Sequence, residues 1–169
     1  MPKPCPLQSY IINILGNTHL ISLPLLAGLV FTWLLFALAM IDAKTMLLPD
    51  VIVFPLLWLG LLVNIQHHFV ALQDAVLGAV AGYLSLWLVH HAFKIIRGKE
   101  GMGHGDFKLL AAIGAWGGWQ ILPNTLLIAA VAGLVFAVIR IFLKQQNSQS
   151  PMPFGPWLAI GGWIALILL

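Results

Sequence analysis

Two aspartates, Asp42 and Asp106, stand where acid–base chemistry is possible. Asp106 follows Gly101-Met102-Gly103-His104-Gly105 and opens the apolar stretch Phe107-Lys108-Leu109-Leu110. Glycines at this spacing let a backbone turn tightly and lie close to its neighbours. Asp42 closes a long apolar run, Ala39-Met40-Ile41, and precedes Leu48-Pro49-Asp50. A carboxylate near the bilayer centre costs about 2.5 to 3.5 kcal/mol on insertion scales, and less toward the boundary, so a retained one invites a chemical explanation. If two such groups meet, repulsion and partial desolvation leave them sharing one proton. The ionised member then takes a proton from an attacking water, and the protonated member donates to a carbonyl oxygen.

Each acid also has a plainer reading. Asp106 suits a helix N-cap, where a carboxylate accepts orphan backbone amides at the positive end of the dipole. Asp42 has no turn residue beside it and is harder to explain that way. Asp50, after Leu48-Pro49, looks like a first-turn acid and is the rival to Asp42 for a chemical role. Lys108 either holds the charge of an aspartate pair or snorkels to the headgroups. Glu100 and Lys99 either bind a charged substrate segment or solvate the loop. His104, between Gly103 and Gly105, is not expected to move protons. A separation of 64 residues (106 − 42) does not by itself bring the two aspartates together.

The elements that must position them are membrane helices. Of 169 residues 61% are hydrophobic and 8% charged, and the mean hydropathy is +1.00, outside the ordinary soluble range. The fold expected is all-α, a polytopic bundle of about six transmembrane or membrane-embedded helices. Residues 1–19, opening Met1-Pro2-Lys3-Pro4-Cys5-Pro6, read as an interfacial lead too rich in proline for a helix, and residues 20–169 as the membrane domain. Spans are expected over 20–41, 51–65 (starting near Pro49), 75–96, 107–122, 125–143 and 154–169. Asp74 reads as the N-cap of the third. Asn64, Gln66, His67 and His68 mark a water-facing turn, His90 and His91 lie at headgroup level, and Trp116 and Trp119 are expected as interface anchors. Gly78 to Gly82 and Gly114 to Gly118 offer small-residue faces for close helix approach.

The few charges set the orientation. Lys44, Lys94, Arg97, Lys99, Lys108, Arg140 and Lys144 fall on one side of these spans, leaving Lys3 outside the pattern. The positive-inside rule makes that side cytoplasmic, and with it Asp42, Asp50, Glu100 and Asp106. Basic residues are not interleaved with exposed aromatics, so no nucleic-acid surface is expected. Cys5 is the single cysteine, which excludes an internal disulfide and a CxxC metal pair, and the six histidines lack convergent spacing, so no metal site is expected.

Taken in order, Asp42 followed by Pro49-Asp50, then Gly103-His104-Gly105-Asp106, resemble the type IV prepilin peptidases, membrane aspartyl proteases of the GxGD class. The resemblance runs from about Thr32 onward and includes Lys99-Glu100-Gly101-Met102, Phe107-Lys108-Leu109-Leu110 and Pro153-Phe154-Gly155-Pro156. It implies Asp42 and Asp106 as the catalytic pair, with Gly103, Gly105, Lys108, Glu100 and Asp50 in supporting or substrate-binding places, and proteolysis without a cofactor. The implied substrate is a prepilin or type II secretion pseudopilin, its short basic leader cut at the cytoplasmic face of the bacterial inner membrane, its apolar helix lodged against the glycine faces. Many members also methylate the new N-terminus with S-adenosylmethionine. The chain resembles a short form without the cysteine-rich cytosolic segment of those members, so methyl transfer is not expected. Two other readings of the same carboxylates are a small ion- or proton-conducting membrane protein and an inactive short paralogue.

Overall fold

A computed structural model describes residues 6–97, 103–143 and 153–169. The described residues form six α-helices in chain order: α1 (Pro6–Thr45), α2 (Asp50–Asn64), α3 (Leu72–Arg97), α4 (His104–Gly117), α5 (Leu122–Phe142) and α6 (Gly155–Ile167). A single 3-10 turn, Trp119–Ile121, links α4 to α5. Three stretches, Leu23–Thr45, Leu72–Ile96 and Trp119–Arg140, are long and apolar enough to cross a membrane, while α2 and α6 are shorter apolar helices. The fold is a helical membrane bundle.

The first helix departs from expectation. It begins at Pro6 rather than near Leu20, so the proline-rich start does not keep the following residues out of a helix. Proline lacks the N–H that a first turn would leave unpaired anyway, which makes Pro6 a tolerable starting residue. Residues 1–5, including Lys3 and Cys5, lie outside the described residues, as do Glu100, Lys99 and Lys144 through Ser150. The second helix starts where the proline indicates, with Pro49 as its N-cap in extended geometry.

The bundle is assembled around α4. At 14 residues this helix covers about 21 Å at 1.5 Å per residue, too little for about 30 Å of hydrocarbon. Instead of spanning alone, it is enclosed by α3, α2 and α6, and from Asp106 to Gly117 every residue except Lys108 is buried. The α3 contact is backbone against backbone. A β-carbon on Gly78 would land on the Gly114 carbonyl, one on Gly114 would land on Gly78, and one on Gly82 would stand 2.7 Å from the Leu110 oxygen. The two small-residue faces read from the sequence therefore satisfy each other. They are filled, and a substrate helix does not lodge there.

At the end of α4 remote from Asp106, polar groups are tied down individually. Asn64, expected in a water-facing turn, is fully buried: its Nδ2 donates to the Ala115 and Trp116 carbonyls, each at 2.9 Å, and its Oδ1 accepts the Phe69 and Val70 amides, each at 3.2 Å. One side chain thereby closes the C-terminal carbonyls of α4 and the turn after α2, as a buried amide must. Trp116 is likewise a core residue rather than an interface anchor. Its Nε1 donates to the Leu56 carbonyl at 2.8 Å and its ring lies 4.8 Å from that of Phe31. Trp119 is half-exposed and donates through Nε1 to Asp74 Oδ1 at 3.1 Å. Asp74 sits within the first turn of α3 and braces it against the 3-10 turn, rather than capping from outside.

Candidate active site

The opposite end of the bundle gathers the ends of α1 and the starts of α2, α4 and α6. Asp42 lies in the last turns of α1, which continues past it to Thr45, and is 4% exposed. Its Oδ2 accepts the Gly155 backbone N–H at 3.0 Å. Gly155 is the first residue of α6, so Asp42 answers one of the orphan donors at that helix start. A β-carbon on Gly155 would stand 2.5 Å from Asp42 Oδ2 and 2.9 Å from its Cγ, so the close approach requires glycine.

Asp106 is the third residue of α4, 6% exposed. It is not the cap: Gly103 holds that position, and no side chain caps the helix. The N-cap reading of Asp106 is therefore not what the structure shows. Asp106 stands outside the three spans, and burial first, then the negative charge of Asp42, push its carboxyl up to about 7. Helix ends 64 residues apart in the chain thus bring two nearly buried carboxyls into one another's field.

The glycines of the loop serve differently from one another. Gly103 has φ −70, and a β-carbon there would meet Asp106 Oδ2 at an ordinary 3.8 Å. Gly105 is the steric requirement, because a β-carbon would come within 2.8 Å of Leu48 Cβ, in the turn between α1 and α2. That turn is held by Met46 N donating to the Asp42 carbonyl at 2.8 Å, with Met46 at φ 54.

Lys108 does not pair with the aspartates as one sequence reading allowed. Its Nζ donates to both carboxylate oxygens of Asp50, at 2.7 and 2.8 Å. Asp50 is 51% exposed, in the first turn of α2, and is engaged in this ion pair. His90 was expected at headgroup level and is instead buried. Its ring lies 5.2 Å from that of His104 and 5.5 Å from that of Phe107, so the histidine of the glycine loop packs onto α3. Gly155 is the site residue whose part sequence reasoning did not assign; the signal available was its place between two prolines in Pro153-Phe154-Gly155-Pro156. Among the described residues, no three His, Cys, Asp or Glu side chains converge as metal ligands.

The family model described as the type IV leader peptidase family matches residues 29–138. Curated relatives carry the name prepilin leader peptidase/N-methyltransferase. One from Pseudomonas aeruginosa is 58% identical over 141 residues, covering 83% of this chain and 49% of the relative. One from Aeromonas salmonicida is 56% identical over 142 residues, covering 84% and 49%. Another, from Pectobacterium carotovorum subsp. carotovorum, is 53% identical over 153 residues, covering 90% and 55%. The chain therefore spans about half the length of the curated relatives it matches. No solved structure matches it. The matched region carries both buried aspartates, the glycine approach at Gly105 and the enclosed α4, and on that match the chain belongs to the type IV leader peptidase family.

Proposed function

We propose that the chain is a membrane aspartic endopeptidase that removes the leader from prepilins or pseudopilins. The observation that carries this reading is the pair of nearly buried carboxyls, Asp42 and Asp106, whose charges interact across two helices. The two differ in surroundings, and the difference suggests their roles. Asp42, with one oxygen engaged by the Gly155 amide, acts as the base; Asp106, able to hold a proton near neutrality, acts as the acid. Water attacks the peptide carbonyl carbon as Asp42 removes its proton and Asp106 protonates the carbonyl oxygen. In collapse, the C–N bond breaks, the departing amine takes the proton from Asp42, and the hydroxyl of the intermediate returns a proton to Asp106. The site lies at the bundle end that carries Lys44 and Lys108, so the reading places it at the cytoplasmic face of the bacterial inner membrane.

The relatives' names also include methyl transfer. A methyl donor such as S-adenosylmethionine carries a sulfonium, an ammonium and a carboxylate group. Of the described acids, Asp42 accepts from Gly155, Asp50 from Lys108 and Asp74 from Trp119. Our proposal for this chain is confined to proteolysis, and the experiment below reads methyl transfer separately. The ion-conducting reading gains no support, since Asp74, the acid of the other end, is bonded to Trp119, and α4 between the two ends is walled by apolar side chains.

Purified protein in detergent, given a prepilin and labelled S-adenosylmethionine, is expected to release the leader, with and without chelator, and to leave the mature N-terminus unlabelled. Mass spectrometry of the pilin reads both. An uncut prepilin with folded protein contradicts the peptidase reading and would favour an inactive paralogue; loss of cleavage on chelation contradicts the two-aspartate mechanism; label on the pilin contradicts the restriction to proteolysis.

A further inference from the structure

The turn between α1 and α2 and the first turn of α4 are joined twice. Leu48 lies against the Gly105 backbone, and Asp50 receives both hydrogen bonds from Lys108. On one side of this junction the chain runs from Asp50 back to Asp42 through a turn closed by its own bonds: Met46 N to the Asp42 carbonyl, Thr45 Oγ1 to the Ile41 carbonyl at 2.8 Å, and Leu47 N to Thr45 Oγ1 at 3.3 Å. On the other side, Lys108 lies within the same helical turn as Asp106. Asp42, the turn, Asp50, Lys108 and Asp106 thus lie on one connected path, in which the ion pair joins the two segments.

We propose that Asp50 and Lys108 are positioning residues that fix the separation of the two catalytic carboxyls, and that they do not contact substrate. The inference rests on the leader-peptidase reading. Several features make the pair fit for this task. Contact with both carboxylate oxygens, at 2.7 and 2.8 Å, makes this a short charge-assisted pair. Asp50 stands at the start of α2, where the helix favours a negative charge. The ammonium lies 5.5 Å from the Phe54 ring centroid, which gives its stem and charge a second surface to rest on. Lys108 is 29% exposed and Asp50 51%, a degree of exposure at which an ion pair adds little to global stability. Its consequence is therefore expected in the geometry of the site, where small displacements matter more to rate than to folding.

The test compares wild type with Asp50→Asn, Lys108→Met and the exchanged pair Asp50→Lys with Lys108→Asp, all full-length and purified in one detergent. Leader cleavage gives kcat and KM, thermal unfolding gives Tm, and hydrogen exchange follows residues 44–52 and 103–110. Each single variant is expected to lose about tenfold or more in kcat, by misplacement of the reacting groups. KM should stay within about twofold, because no substrate contact is removed. Tm should barely change, while exchange quickens in both segments together. The exchanged pair should recover most of the lost kcat and the protection, though not all, since a lysine at the start of α2 opposes its dipole. A raised KM with kcat preserved would overturn the proposal in favour of a substrate contact. An exchanged pair no better than the single variants, in both rate and exchange, would overturn it as well. Wild type that cuts no prepilin defeats the leader-peptidase reading instead, and the exchange data then decide separately whether the pair holds the two turns together.

Discussion

Asp42→Asn and Asp106→Asn are each expected to lower leader cleavage by on the order of 10³-fold or more, the loss of a general acid or base from the transition state. Both variants should insert and fold. Asparagine has nearly the same shape, and at position 42 its side-chain oxygen still accepts the Gly155 amide. Neither change adds a charge to the interior: Asp42→Asn removes one, and Asp106→Asn replaces a carboxyl that holds a proton near neutrality. The comparison is Asp74→Asn, where the amide oxygen still accepts the Trp119 indole at the far end of the bundle and activity should persist. The check is kcat for each purified variant, with matched amounts of folded protein. Cleavage near the wild-type rate by Asp42→Asn would remove the two-aspartate mechanism, whatever the Asp106 result.

A comparably large effect, on folding rather than chemistry, is expected from Gly114→Val. Helices α3 and α4 meet through backbone atoms at Gly78 and Gly114, and a side chain at either has no flexible neighbour to displace. Overpacking commonly costs about 1–3 kcal/mol, and a branched residue against rigid backbone belongs at or above the upper end. Against a total stability of about 5–15 kcal/mol, that is enough to separate the two helices or abolish expression. Gly28→Ala is the counterpart, with nothing within 4 Å of its β-carbon, and should be neutral or slightly stabilising because alanine favours the helix. Unfolding in bicelles or mixed micelles compares them. Gly114→Val with wild-type stability would contradict the packing of α4 within the bundle.

The sequence disclosed features that depend on local physics. Apolar length gave the helices, Pro49 gave the start of α2, and Gly78 and Gly114 gave faces suited to close approach. What it did not disclose were partners supplied by distant segments. Asn64 looks like a loop amide until the carbonyls of Ala115 and Trp116 arrive beside it. Trp116 resembles an interface tryptophan because its enclosure comes from Phe31, Leu56 and Phe69, on other elements or in loops. The glycine faces invited a substrate helix, yet each is the other's partner. At the site, Asp42 stood out by its position at the end of an apolar run. The charge on Lys108 had the aspartate pair or the headgroups as its expected surroundings, and spacing could not choose between them; the fold gives it to Asp50. Gly155 carried no chemical signal of its own, since its part is a backbone N–H and a missing side chain.

The pH dependence of kcat/KM for leader cleavage tests the account most directly, because it asks whether the acid is Asp106 in its shifted state. The acid must be protonated to act, and burial together with Asp42 push its carboxyl up to about 7. Raising the pH through that value removes the required proton, so kcat/KM is predicted to fall above about 7, approaching tenfold per pH unit. At low pH the rate should fall again as Asp42 loses its charge, giving a bell. A profile that stays level or rises from neutral to alkaline pH, with the protein still folded, would contradict the assignment of Asp106 as the proton donor.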